Sequence, residues 1–273
     1  MPDETSRPAA SVPPLRLLGA DLLHVSLLRR LFSLMVPFAC AGAYFVFAIN
    51  DWWPAAVLSL MALSFFTYSS TSHDLVHRSL GMPGRMNEVM LCVIELLALR
   101  SGHAYRAIHL NHHARFPEPD DIEGAAARMS WLGAIRDGLT LQYRAWWWAV
   151  RRGGRDRAWM IGEALACLSL VIASALLAPV TPVFLIYAAL MIAGSWLIPL
   201  ATSYIPHDPD GHDELTQTRA YRGLIASAIA FRHLYHLEHH LYPAVPHQNW
   251  PKLAKRLDPY LHEAGVVARR FWV

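Results

Sequence analysis

The chain has 273 residues, is 54% hydrophobic and only 16% charged, and carries a formal net charge of +3. That balance argues against an ordinary water-soluble domain and for a membrane protein. No basic run with interleaved aromatics is present, which sets nucleic acid aside as a partner.

Residues 1–15 are rich in Pro, Ser and Ala and are expected to be disordered; residues 16–273 are expected to form a single membrane domain. The start does not read as a signal peptide, because the first long apolar run begins only after Arg29 and Arg30 and lacks a small-residue cleavage site. Four stretches, near 31–50, 52–70, 158–178 and 182–204, are long enough to cross a bilayer, which takes about 20 apolar residues. Short connections around Asn50 and Asp51 and at 179–181 make each pair a helical hairpin. No Lys or Arg occurs from 31 to 77 or from 158 to 218. Both hairpin tips are therefore free of positive charge, and the positive-inside rule puts the opposite side in the cytoplasm. A bacterial inner membrane is the expected location, with both termini cytoplasmic.

Between the hairpins, the run 86–99 (MNEVMLCVIELLAL) is short for a span and holds Glu88 and Glu95. It reads as a re-entrant or interfacial helix. Glu163, inside the third span, is an intramembrane acid, which marks it as a functional candidate, although its place near the helix start suits an interfacial role equally well. Cys40, Cys92 and Cys167 are isolated in apolar stretches and make no C-x-x-C site. The predicted architecture is an all-α integral membrane fold: four transmembrane helices in two hairpins, with a cytoplasmic helical cap carrying three histidine boxes.

Those boxes are HDLVH (His73, His77), HLNHH (His109, His112, His113) and HLEHH (His236, His239, His240). Offsets of three and four put the imidazoles of each box on one helical face. Imidazole suits iron, copper, zinc and nickel, and eight convergent rings are too many for one ion, so two ions are expected. With two outward-dipping hairpins, all three boxes fall on the same side of the bilayer. The Glu-x-x-His pattern of soluble diiron bundles and the H-E-x-x-H pattern of zinc proteases are both missing.

These boxes and this span layout resemble the membrane fatty acid desaturase superfamily, which also contains carotenoid ketolases and hydroxylases. The resemblance covers roughly 30–262. HLEHHLYPAVPHQNWPKL resembles the last box of acyl-chain desaturases, whereas SYIPHDPDGH resembles the segment that carotenoid ketolases place before theirs. Box one is one residue shorter than in some desaturases, which bears on substrate class rather than on metal binding. The resemblance implies that the eight box histidines hold two iron ions, with one more ligand from the region after the fourth span: His207 first, His212 second. Asp74, Asp120, Asp121 and Glu238 adjoin the boxes and are candidates for hydrogen-bonding the ligating rings, with helix capping or loop solvation as the other reading. Asn111 is open between the two. His103 and His233 are expected beside the site rather than on the metal, His247 against substrate or solvent, and His24 and His262 at the periphery.

The implied chemistry is reductive activation of O2 and removal of hydrogen from an unactivated C–H bond. A second hydrogen removal gives a double bond, and oxygen transfer gives an alcohol or, repeated, a ketone. A fatty acyl desaturase is the first reading and a carotenoid ketolase or hydroxylase the second. A zinc-dependent membrane lipid hydrolase stands third, and a metal-binding or transport protein without catalysis is the plain competitor. The chain carries no Rossmann fingerprint and no Fe–S cysteine set. The electrons are therefore expected from a separate ferredoxin-like or cytochrome b5-like donor. Arg144, Arg151, Arg152, Arg155 and Arg157 would face it, or simply mark the positive-inside bias.

Overall fold

A computed structural model describes residues 12–223 and 232–270. Residues 1–11 of the segment expected to be disordered lie outside the described residues. The remainder of that segment is packed: the Pro13 carbonyl accepts the Tyr242 hydroxyl at 2.6 Å, and Leu15 opens a short helix, Leu15–Leu18.

Long runs without charge form helices that are apolar on every side, as segments bordered by lipid require. Four helices are long and apolar enough to cross a membrane: Ala20–Ile49, Trp53–Val76, Arg157–Leu177 and Val183–Tyr204. We call their helical bodies α1 (Leu27–Ile49), α2 (Trp53–Val76), α6 (Arg157–Leu177) and α7 (Val183–Tyr204). Leu165, Leu168, Ile172 and Leu176 on α6 are exposed, as a lipid-facing helix would present them. The two hairpin tips meet, because the Tyr44 hydroxyl near the end of α1 donates to the Val183 carbonyl at the start of α7, at 2.7 Å.

The second span runs further than hydropathy indicates. Thr67–Thr71 forms a π-helical turn and Ser72–Val76 continues as α-helix, so box one belongs to the last turns of the span rather than following it. The run is polar (TYSST) yet stays helical. Thr67 and Ser70 hydroxyls donate to the Leu63 and Phe66 carbonyls at 3.0 and 2.8 Å, satisfying themselves within the helix. α7 repeats the pattern. Pro199, which cannot donate to the helix, is followed by a second π-helical turn at Leu200–Tyr204, just before His207.

The run 86–99 is helical and is not among the helices long and apolar enough to cross a membrane. Helix α3 (Gly84–Leu97) is followed by Leu99, which adopts a left-handed φ of 54°, and by α4 (Gly102–Arg115). At this turn the Tyr187 hydroxyl of α7 donates to the Leu97 carbonyl at 2.6 Å. The turn carries buried charge held by an ion pair: Arg100 Nε donates to Glu95 at 2.8 Å and one Nη to Thr67 Oγ1 at 2.6 Å. Glu163 of α6 accepts from the Ser101 hydroxyl at 2.6 Å and the His103 main-chain N–H at 3.2 Å, and lies 2.7 Å from His103 Nδ1. This intramembrane acid therefore anchors the N-terminus of α4, the helix that carries box two.

α5 (Trp131–Arg152) then crosses α7 at Gly138, where any Cβ would overlap the Trp196 carbonyl. After α7, two-residue strands β1 (Tyr221–Arg222) and β2 (Arg269–Arg270) pair in parallel, and α8 (His236–Leu241) and α9 (Trp250–Glu263) complete the described chain. Leu18 and Leu22 pack against Trp250, Leu253, Leu257 and Leu261, tying the N-terminal segment to α9 over the ends of the spans.

Candidate metal centre

Box one sits on the last turns of α2, box two on α4 and box three on α8, and all three converge at the end of the spans opposite the hairpin tips. Their imidazoles form two groups. His73, His77, His109, His113 and His239 make one; His112, His207, His236 and His240 make the other. Within each group every ligand atom is within 4.8 Å of the others. Helical phase explains the sorting. Residues i and i+4 differ by about 40° around a helix, whereas i+3 falls on the other side of i. Each i, i+4 pair (73/77, 109/113, 236/240) therefore enters one group, and the i+3 ring of boxes two and three (His112, His239) crosses to the other.

The rings meet through Nε2. His73 to His239 is 2.9 Å, His113 to His239 2.7 Å and His113 to His109 3.2 Å. In the second group His112 to His207 is 3.0 Å, His207 to His240 3.1 Å and His240 to His236 3.2 Å. Two nitrogens about 2.1 Å from one ion and at right angles stand about 3 Å apart, so these spacings are those of adjacent ligands. Burial drives the rings to the neutral form: His77 is pushed down to about 2, and His113, His207, His236, His239 and His240 fall well below the ordinary imidazole range. His77 Nε2 is buried with no hydrogen-bond partner. Neutral imidazoles with converging lone pairs repel one another and lack donors; a cation among them resolves both. The donor set, all nitrogen, suits iron, copper, zinc or nickel.

The outer nitrogens are oriented by acids and carbonyls. His112 Nδ1 is 2.6 Å from Asp121, His109 Nδ1 is 3.0 Å from Glu123, and His207 Nδ1 is 3.1 Å from the Ser203 carbonyl. Burial lowers His112 but the Asp121 carboxylate more than offsets it, so its net shift is upward. Burial raises Glu123, and His109 beside it reverses that, holding the acid below its ordinary range.

The fatty acid desaturase family model matches residues 50–272, most of the chain and all three boxes. The chain belongs to the fatty acid desaturase family. Comparison with curated proteins gives no match.

Within this family member the acids beside the boxes take different positions. Asp121 is buried on His112, while its neighbour Asp120 is exposed on Arg115 at 3.0 Å. Asp74 accepts from the His247 main-chain N–H at 2.9 Å and lies 2.6 Å from His247 Nδ1, so it ties box one to the segment after box three. Glu238 is buried in an ion pair with Arg222 at 2.6 Å. His212 is in neither group; its main-chain N–H donates to Thr216. His103 packs on Trp159 between Glu163 and Glu88, and His233, pushed down to about 4 by burial, stands 4.7 Å from the His236 ring. Glu123 and the Ser203 carbonyl escaped sequence reasoning: Glu123 lies fourteen residues beyond His109 in an irregular segment, and a backbone acceptor has no sequence signature. Glu123 also accepts the Tyr68 hydroxyl at 2.9 Å.

Below the imidazoles a cavity of about 200 Å³ runs between α2 and α7. Leu60, Phe65, Met191 and Leu197 line it, together with Ser69 and Thr202 from the two π-helical turns that precede His73 and His207.

Proposed function

We propose that this family member is an O2-dependent diiron oxidoreductase that dehydrogenates a fatty acyl chain held between α2 and α7. The observation that carries the reading is the sorting of nine imidazoles, five and four, together with an apolar cleft whose lining reaches Ser69 and Thr202, shortly before His73 and His207 in the chain. His73, His77, His109, His113 and His239 would hold one iron, and His112, His207, His236 and His240 the other. Irons bound there supply activation of dioxygen and hydrogen removal from an unactivated C–H bond. The protein's own contribution is position and exclusion. Asp121, Glu123 and the Ser203 carbonyl fix the rings of His112, His109 and His207. Leu60 and Met191 hold the chain and keep water from it. In the balance, dioxygen takes four electrons, two from the substrate C–H bonds and two from a donor, and leaves as two waters with two added protons. Those donor electrons would come from a separate ferredoxin- or cytochrome b5-type protein, since the three cysteines are apart and unpaired. The positive-inside rule favours the imidazole side as cytoplasmic.

A carotenoid ketolase or hydroxylase is the second reading, favoured by the SYIPHDPDGH segment that carries His207. Lipid and pigment analysis of two bacterial hosts, one ordinary and one making β-carotene, each co-expressing a donor, separates them. New unsaturated acyl chains that vanish with His112→Ala support the first reading; keto- or hydroxy-carotenoids with unchanged acyl chains would replace it with the second.

A further inference from the structure

On the imidazole side, a second cavity of about 650 Å³ opens between the start of α1, the end of α2 and the segment following box three. One wall is an apolar stripe of α1, Leu28, Phe32 and Val36 at successive turns, with Leu28 and Phe32 exposed toward the bilayer. Two cations also line it, Arg29 on the same helix and Arg232 on the facing segment. Several arginines around the metal-binding groups are paired: Arg78 and Arg106 on Glu88, Arg100 on Glu95, Arg222 on Glu238. Among the described residues no carboxylate lies within ion-pair distance of Arg29 or Arg232. Asp74, the acid whose charge reaches Arg232, is already taken by His247.

Arg232 is held in place at a cost. Its φ of 68° is the left-handed conformation that a residue with a Cβ disfavours, and one Nη donates to the Gln248 carbonyl at 2.7 Å. Gln248 in turn donates to the Arg29 carbonyl at 3.0 Å, linking the two cation-bearing segments. Two like charges turned to one cavity repel each other unless an anion lies between them, and a guanidinium fork matches a carboxylate or a phosphate.

We propose that this cavity binds the anionic head group of a lipid, a carboxylate or phosphate between Arg29 and Arg232, with the lipid's chain along Leu28, Phe32 and Val36. The site stands independently of the redox reading, although Thr71 and His247 make it a neighbour of box one.

The test is native mass spectrometry of the full chain in neutral detergent. Oleate and phosphatidylglycerol are the anionic probes; methyl oleate and phosphatidylcholine carry no net charge. One-to-one adducts of an anionic probe should persist at least tenfold better than those of its uncharged counterpart. Arg232→Gln and, separately, Arg29→Gln should abolish that preference, while Arg155→Gln, on an exposed basic stretch elsewhere, should leave it intact. Preference for oleate identifies a free fatty acid carboxylate as the occupant, and preference for phosphatidylglycerol a bilayer phosphate. Equal retention of charged and uncharged lipids overturns the proposal, and so does an equal loss on Arg155→Gln, which would mean diffuse attraction to a basic surface. Arg29 is exposed, so its variant gives an answer even where Arg232→Gln fails to fold.

Discussion

The two imidazole groups are built from the same boxes yet differ in completeness. The five-membered group draws entirely on the boxes, while the four-membered group contains only three box histidines and is completed by His207. Helical phase is the reason: box one is a bare i, i+4 pair and sends no third ring across, so the second group is one short until the segment after α7 supplies it. The group with fewer rings depends on each of them, and that difference can be attacked experimentally.

The largest effect is expected from His207→Ala. It leaves three rings in the smaller group, and the protein should lose one metal per chain and its activity with it. His77→Ala leaves four rings in the larger group and should keep two metals per chain. Metal analysis alongside helical content by circular dichroism checks both; equal losses would erase the distinction. Next is Asp121→Asn, which removes the acid that orients His112. Loss of such a partner costs about 10–100-fold in metal affinity, and chelator competition should show it falling on one metal only. Glu123→Gln should weaken the other group by less, because four further rings share that ion. A further substitution leaves both groups alone. Gly194 lines the cleft with open space around its Cβ position. Gly194→Leu should retain two metals while lowering catalytic efficiency toward the longest chains by about tenfold, the scale set by a few methylenes in an apolar pocket. The smallest effect belongs to His233→Ala, with metal content unchanged, since that ring belongs to neither group.

Much of this site was legible before the structure, for physical reasons that differ by residue. The box histidines announce themselves through helical spacing, and the span count puts them on one side. His207 came from a resemblance; helical phase alone, once the rings are sorted, shows why a ninth ring is needed. Spacing does not tell Asp120 from Asp121, because adjacent residues in an irregular turn point in unrelated directions: one is exposed on Arg115 and the other buried on His112. The link from Asp74 to His247 spans 173 positions and is a product of tertiary packing alone. In the fold, hydropathy located four spans but ended the second too early, because a polar run that satisfies its own hydroxyls within a π-helical turn stays helical inside the membrane domain.

The most direct test of the central claim is Mössbauer spectroscopy of the purified chain, grown on ⁵⁷Fe and reduced, together with its iron-to-chain ratio. Two groups of five and four imidazoles predict two irons per chain and two distinct ferrous signals, one of which disappears in His207→Ala. A chain that takes up a single ion, or zinc in place of iron, would contradict the account.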